Sequence, residues 1–558
     1  MPLMTLLSTA LCATMHASDA NAAAAPPRGG WNWPNTLSTR EDVARFLIKA
    51  GNGADMTTLN ALTGTDTADW VAREFAKPRT PMLAPLLARQ AAGEPVRNDE
   101  HANVFWDALL QADDVLRQRM VYALSQFFVV SDKPFGAPAF PLAHYQEQLS
   151  RHAFGNFRDL LEAVTYAPAM AQYLTYLRNE KADPASGRVP DENYAREILQ
   201  LFSIGLVALN LDGTPALRNG QQIETYDNTD IEGLARVFTG LSLAGPSFYT
   251  PASDGEYQRL VMYDAFHAPE QKRFLDTVIP AGTAGDASIR LALDAIFAHP
   301  NVAPFFARQL IQRFTDSDPS PGYVRRVAIA FNQGRFRSAN GTVFGTGRRG
   351  DLQATLAAVL LHGSVFRPTD RLWAGDGKLR EPVLKFAQWT RAFRAAPIIT
   401  DIEYRLFLAS RADIGLDQHP FRARSVFNFY RPGYVAPGTL SGDRGFTTPE
   451  FQLVNEGSIN GYVNFMTDFI FNQTGTSDGS PLFDPDYSAE LALAGDARAL
   501  VNRLNLLLTA GQMSDAEIEA VTDTIETLAV ENEALDRPTR VEAAITLVIS
   551  LPSYAVIR

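Results

Sequence analysis

Cysteine is almost absent from this chain. Its 558 residues include one, Cys12, which falls in an N-terminal stretch, Met1 to Ala25, that reads as a leader. Leu11 stands where a lipid-anchoring signal would need a small residue, so Cys12 does not read as a lipoprotein anchor. A mature chain lacking the leader carries no thiol, which excludes disulfides, thiolate nucleophiles and cysteine–zinc sites together. A basic excess is also missing. Lys and Arg number 50 against 62 Asp and Glu, for a net charge of −12. No basic run is longer than pairs such as Arg325-Arg326 and Arg348-Arg349, so the positive stripe that neutralises nucleic-acid phosphates is lacking. No segment reaches about 18 uninterrupted apolar residues, the length needed to span a bilayer. The eight histidines include no H-x-H or H-E-x-x-H pair, and there is no Walker loop and no G-x-S-x-G elbow. The cofactor, if any, is therefore not identified by motif.

What is present is core-forming material. Apolar residues make up 46% of the chain, aromatics 10% and charged residues 20%, the composition of a globular protein. Met4 to Met15 is apolar enough for the core of an export signal, and Ala20-Asn21-Ala22 offers a small-x-small cleavage pattern, although the basic n-region is missing. The expectation is a periplasmic or secreted protein: a leader over 1–24, a main helical domain over 25–487, and a C-terminal helical subdomain over 488–558 packed on it. Helical periodicity dominates. Leu116, Met120, Ala123, Leu124, Phe127 and Phe128 share one face, as do Tyr194, Ile198, Leu201 and Phe202, and Val302, Phe306, Leu310 and Phe314. Ser514 with Glu517, and Thr229 with Glu232, read as capping boxes. Strand signals are sparse. The best lies between Val207 and Tyr226, where Asp212-Gly213 and Asn219-Gly220 punctuate a hairpin. The predicted fold is mainly α, a large multi-helix orthogonal or bundle-like body with one small β-hairpin excursion.

Several segments together carry a family resemblance. The longest runs from Pro190 to Leu206 and contains Asp191-Glu192-Asn193-Tyr194-Ala195-Arg196-Glu197. Others are Tyr226-Asp227 with Asp230 to Gly240, Leu116 to Ser131, His299 to Phe314, Gly377 to Val383, Pro420 to Tyr430, and Thr448 to Gln452. In these the chain resembles the bacterial family catalogued as domain of unknown function 1800, from about Arg40 to the C-terminus. The resemblance implies an exported bacterial protein, often encoded beside a second, sulfatase-like secreted family. It implies no agreed activity and no assigned catalytic residues. One departure is His267-Ala268, where relatives tend to show His-Asp.

The polar residues worth testing lie mostly on two helices. A rotation of about 100° per residue puts Asn193, Glu197 and Gln200 on one stripe flanked by Glu192 and Arg196, opposite the Tyr194/Ile198 face, with Asp191 as N-cap. On the helix after Thr229, Glu232 and Arg236 form a second i,i+4 pair. If the two helices pack with these pairs converging, Glu192, Glu197 or Glu232 would act as acid–base groups, with Asn193, Arg196, Gln200 and Arg236 binding substrate. The same residues also fit solvated ion pairs or a buried structural network. His267, in a polar loop near Lys272 and Arg273, is the best histidine for proton transfer. Lys378 and Arg380, in a Gly-initiated turn before a helix, form a candidate anion site to which Arg308 and Arg313 would add. Gly345 to Gly350 spells G-x-G-x-x-G but lacks the flanking βαβ unit. Asp227, Asn228 and Asp230 match only part of a calcium loop. No metal site is assigned.

Two functions compete. One is an exported enzyme acting on an anionic or saccharide-like substrate through these Glu/Arg faces. The other is a non-catalytic secreted module that binds the sulfatase-like partner encoded nearby. The enzyme reading requires Glu192, Arg196, Glu232 and Arg236 to line one water-accessible pocket.

Overall fold

Thr39 opens the first helix of the body with a capping box: its hydroxyl accepts from the Asp42 amide at 3.2 Å, and Asp42 accepts from the Thr39 amide at 3.1 Å. Such caps satisfy amide donors that a helix start otherwise leaves unpaired, each worth about 1 kcal/mol. The computed structural model describes residues 35–136, 138–366, 377–397, 406–412, 415–471, 483–528 and 533–558. The stretch expected to be a leader, with Cys12 and His16, falls outside them.

The principal helices are α1 (Arg40–Gly51), α2 (Glu100–Gln111), α3 (Val115–Phe127), α4 (Ala139–His152), α5 (Phe157–Thr165), α6 (Asn193–Gln200), α7 (Asn228–Val237) and α8 (Gly285–Ala298). They continue with α9 (Val302–Phe314), α10 (Pro321–Gln333), α11 (Leu352–Leu360), α12 (Pro382–Ala392), α13 (Glu456–Ile470), α14 (Ala497–Thr509), α15 (Asp515–Glu526) and α16 (Glu533–Ile549). Among the described residues strands occur only as small two-stranded sheets, and the protein is mainly helical. No helix among the described residues is long and apolar enough to cross a membrane.

The expected hairpin is present. β1 (Leu217–Arg218) pairs antiparallel with β2 (Gln221–Gln222) around Asn219 and Gly220, whose φ values of 54° and 80° give the left-handed pair that a tight primed turn requires. The Gly345–Gly350 stretch is a glycine turn rather than a nucleotide loop. It follows a two-residue strand, Val343–Phe344, that pairs antiparallel with Phe336–Arg337. Asp351 then caps α11 by accepting from the Ala354 amide at 3.0 Å.

Packing joins distant parts of the chain. α3 lies against α1, α4 and α9; α9 packs on α10; α14 packs on α1, α12, α15 and α16. One hydrophobic cluster runs through the body from Leu37 to Ile557, so the C-terminal helices share the core of the rest. Phenylalanines tie its centre. Phe306 of α9 contacts Phe127 of α3 at 5.2 Å and Phe157 of α5 at 4.8 Å, and Phe128 contacts Phe202 at 5.4 Å between centroids. Pairs of this kind add about 0.5–1.5 kcal/mol each beyond burial. The chain closes on itself where β4 (Val556–Ile557) pairs antiparallel with β3 (Lys378–Leu379).

Candidate functional site

α6 begins one residue later than its sequence suggests, with Glu192 rather than Asp191 at the N-cap and Asp191 just before it. Asp191 accepts from the Asn193 amide at 2.8 Å and from the Thr175 hydroxyl at 3.0 Å. Glu192 and Arg196 form the expected pair at 3.2 Å, and both side chains are more than 40% exposed, so it is a solvated pair of small energetic value. Glu197, one turn further on, is 7% exposed. Its inner oxygen, Oε2, meets no hydrogen-bond partner. Burial raises its pKa, only partly opposed by Arg196; burial, with the Glu197 charge adding to it, also raises the pKa of Tyr173 and Tyr226.

The two Glu–Arg pairs do not converge. α6 and α7 pack through their apolar stripes, with Tyr194 edge-on to Phe238 at 4.7 Å, which turns the polar faces away from the shared interface. Glu232 is exposed and Arg236 half-buried, and no ion pair joins them among the described residues. None of Glu192, Arg196, Glu232 and Arg236 lines a described cavity.

The other candidates are also placed differently from their sequence reading. His267 is buried rather than set in a polar loop. Its Nδ1 lies 2.9 Å from the Thr239 carbonyl and its Nε2 3.3 Å from the Ser288 hydroxyl, and burial pushes its pKa down. Ala268 is buried beside it. Lys378 and Arg380 are interior because β3 pairs with the C-terminal strand and draws the turn inward. Lys378 pairs with Glu450 and stands 3.8 Å from Glu381. Arg380 donates to the Tyr554 carbonyl at 2.7 Å and to Gln388.

A largely apolar cavity lies elsewhere. It measures about 350 Å³, within the range of small-molecule sites. Its walls come from the end of α3 (Gln126, Phe127, Val129), the end of α6 and its exit turn (Gln200, Leu201, Gly205, Leu206) and the first limb of the hairpin segment (Val207, Leu209, Gly213). α9 contributes Phe305, Arg308, Gln309 and Arg313, and the 426–433 loop adds Val426, Phe427, Arg431, Pro432 and Gly433. The α9 residues recur at three- and four-residue spacing, so they share one face. Gly205 lets α6 end against that face: its φ is 70°, and a Cβ there would stand 2.7 Å from the Phe305 ring.

Charge sets this cavity apart from the protein around it. The chain is acidic overall, yet three arginines and no carboxylate line the space. Arg308 is half-buried and forms no ion pair among the described residues. Arg431 lies over the Phe427 ring at 4.7 Å. Arg313 is buried against the Tyr430 ring and donates from Nη2 to the Gln126 carbonyl at 3.4 Å, while Nε and Nη1 have no acceptor. Buried guanidinium donors left unpaired in this way favour an incoming anion.

A buried network fixes the floor. Glu381 accepts from Tyr122 at 2.9 Å, from Gln418 at 2.7 Å and from Gln126. Ser317 donates to Glu450 at 2.7 Å. Burial alone would raise the Glu381 pKa, but Lys378, Arg119 and Arg313 outweigh it and hold the group below the usual carboxylate range. Gln126 and Arg313 thus belong both to this network and to the cavity wall.

Sequence reasoning named Gln200, Arg308 and Arg313 but assigned the arginines to the Lys378 turn, and it missed Gln126 and Arg431. A signal for Gln126 existed in the segments that carry the family resemblance, and Arg431 follows directly on one of them. Leu116–Ser131, Pro190–Leu206, His299–Phe314 and Pro420–Tyr430 all reach the cavity wall, and Gly377–Val383 and Thr448–Gln452 supply the carboxylates behind its floor. A family model described as "Protein of unknown function (DUF1800)" matches residues 45–556. No curated protein and no solved structure matches the chain significantly.

Proposed function

The chain belongs to the family described as Protein of unknown function (DUF1800), and since that description carries no activity, we propose a function from the cavity: an exported protein that binds an amphiphilic anion. The anionic head, a carboxylate, sulfate or phosphate, pairs with Arg308 and Arg313, and Arg431 adds charge at the rim. The apolar body lies along Phe127, Phe305 and Leu201. The observation that carries this reading is the set of three arginines without a carboxylate in an apolar cavity of an acidic protein. The apolar walls suit such a ligand better than an unsubstituted saccharide, whose hydroxyls would lose hydrogen bonds there. The lining residues include no nucleophile and no acid–base side chain, so the reading is one of binding.

Calorimetric titration with decanoate, decyl sulfate and neutral decanol tests the proposal and separates the head groups. One or both anions are expected to bind more tightly than decanol. Arg308→Gln should weaken the preferred anion by roughly 10- to 100-fold, the equivalent of one charge-assisted hydrogen bond at about 1.5–3 kcal/mol. Equal affinity for decanol and the anions, or an Arg308→Gln variant that binds as well as the parent, contradicts it.

A second reading draws on Leu206 and Phe427, apolar side chains at the cavity that are 55% and 37% exposed. In it the cavity mouth is the contact surface for the sulfatase-like exported protein implied by the family's gene pairing. Co-expression and pull-down test it: loss of the complex in Phe427→Asp supports it, and failure of the unaltered pair to co-purify rejects it.

A further inference from the structure

Three glutamines line the apolar cavity: Gln126 from α3, Gln200 from α6 and Gln309 from α9. The Gln126 amide is spent, since it donates to Glu381 and accepts from the Tyr430 hydroxyl at 3.4 Å. Gln309 differs. It is 7% exposed, and its side chain forms no hydrogen bond among the described residues. Gln200 accepts only from the Tyr226 hydroxyl, at 3.5 Å, and its Nε2 donates to nothing among the described residues. A glutamine amide carries two N–H donors and a carbonyl acceptor, and leaving them unpaired inside a protein is costly.

Helical spacing gives Gln309 a definite place along α9. It stands one turn after Phe305 and one turn before Arg313, so ring, amide and guanidinium follow one another at intervals of roughly 6 Å. Arg308 is its immediate neighbour. Arg313 faces the Glu381 charge, whereas Arg308 forms no ion pair among the described residues. An incoming anion is therefore drawn to the guanidinium beside the Gln309 amide. An unbroken alkyl chain running from that head to Phe305 would displace the water that can satisfy the glutamines and return no hydrogen bond. A ligand with a polar group at this level avoids that loss. A trans secondary amide directs its C=O and N–H to opposite sides, and so takes two partners, as glutamines on two different helices provide. An ester has the acceptor but lacks the donor.

We propose that the amphiphile is an N-acyl amino acid. Its carboxylate pairs with Arg308, its amide is held between Gln309 and Gln200, and its acyl chain lies along Phe127, Phe305 and Leu201. The proposal rests on the amphiphilic-anion reading of the same cavity and adds the class of ligand. Gln309 is the residue that sets the preference for an amide over a plain fatty acid.

Calorimetric titration of the purified protein with N-decanoylglycine and with tridecanoate, a fatty acid of matched length without the amide, tests the assignment. Tridecanoate is the more apolar of the two and would bind more tightly if burial alone decided. N-decanoylglycine is instead expected to bind about tenfold more tightly, the net effect of its amide hydrogen bonds. N-decanoyl-N-methylglycine, which keeps the C=O and loses the N–H, should give up part of that advantage. Gln309→Leu should remove the preference without weakening tridecanoate, and Gln309→Met serves the same purpose should the leucine variant fail to fold. Equal or tighter binding of tridecanoate by the parent protein, or a preference for N-decanoylglycine that persists without Gln309, overturns the proposal. If tridecanoate binds and is weakened by Arg308→Gln, the amphiphilic-anion reading survives that failure. If neither ligand binds, both fall.

Discussion

Glu197 shows how far a single residue can be read. Its place on a stripe with Asn193 and Gln200 follows from helical spacing alone, and Gln200 does reach the cavity wall. The stripe does not reveal that Glu197 is buried without a partner for Oε2, because the covering rings, Tyr173 and Tyr226, come from other parts of the chain. The consequence for stability has a definite sign. A carboxyl whose pKa is raised on folding binds protons better in the folded state, so stability falls as pH rises from the ordinary value of 4.5 through the raised one. Glu197→Gln removes that penalty. Its Tm at neutral pH is predicted to equal or exceed that of the parent, with the difference closing as both are taken below the ordinary carboxyl pKa. A lower Tm at neutral pH would mean that the carboxylate has a favourable partner. The burial of His267, read from the sequence as lying in a polar loop, was hidden for a related reason: Thr239 and Ser288, its hydrogen-bond neighbours, lie 28 and 21 residues away.

Elements were most legible where their caps were local. Ser514 and Glu517 form the expected box, with Glu517 accepting from the Ser514 amide at 2.8 Å. Ser514→Ala should therefore destabilise by about 1 kcal/mol, visible as a lower denaturant midpoint at unchanged slope. The box read at Thr229 and Glu232 is instead formed two residues earlier. Asp227 accepts from the Thr229 amide at 2.7 Å and the Asp230 amide at 3.2 Å, while Asp230 accepts from the Asp227 amide at 2.9 Å. Asp230 also accepts from the Leu275 amide at 2.7 Å, a tertiary contact invisible to local pattern. It leaves Glu232 on the exposed face and commits carboxylate oxygens that resembled calcium ligands to backbone amides. At the end of α6, Gly205→Ala would force a Cβ onto the Phe305 ring in a left-handed backbone. The expected cost is about 1–3 kcal/mol, together with weaker ligand binding as Phe305 moves into the cavity. An unchanged Tm and unchanged affinity would show that the α6 exit is not held as described.

At the scale of the molecule, helical fold class was legible because amphipathic periodicity is a local property. The cavity was not legible, since its arginines come from α9 and the 426–433 loop and its glutamines from α3, α6 and α9. Only the scatter of family-like segments hinted that these regions meet. The buried Glu381 binds them together through Gln126, Tyr122 and Gln418. Removing its charge while leaving Lys378, Arg119 and Arg313 should cost about 3–5 kcal/mol, so Glu381→Gln is predicted to lower the Tm markedly. Because the Glu381 pKa is depressed on folding, its contribution is complete above the ordinary carboxyl pKa and is lost as pH falls through the depressed value. The gap between parent and variant should accordingly narrow in acid. The central claim, an amphiphilic anion seated among Arg308, Arg313 and apolar walls, is tested most directly by a crystal structure of the protein with decanoate. The account predicts carboxylate density within hydrogen-bonding reach of Arg308 or Arg313, with the alkyl chain against Phe127 and Phe305. A decanoate bound elsewhere, or seated with its carboxylate turned away from all three arginines, would contradict it.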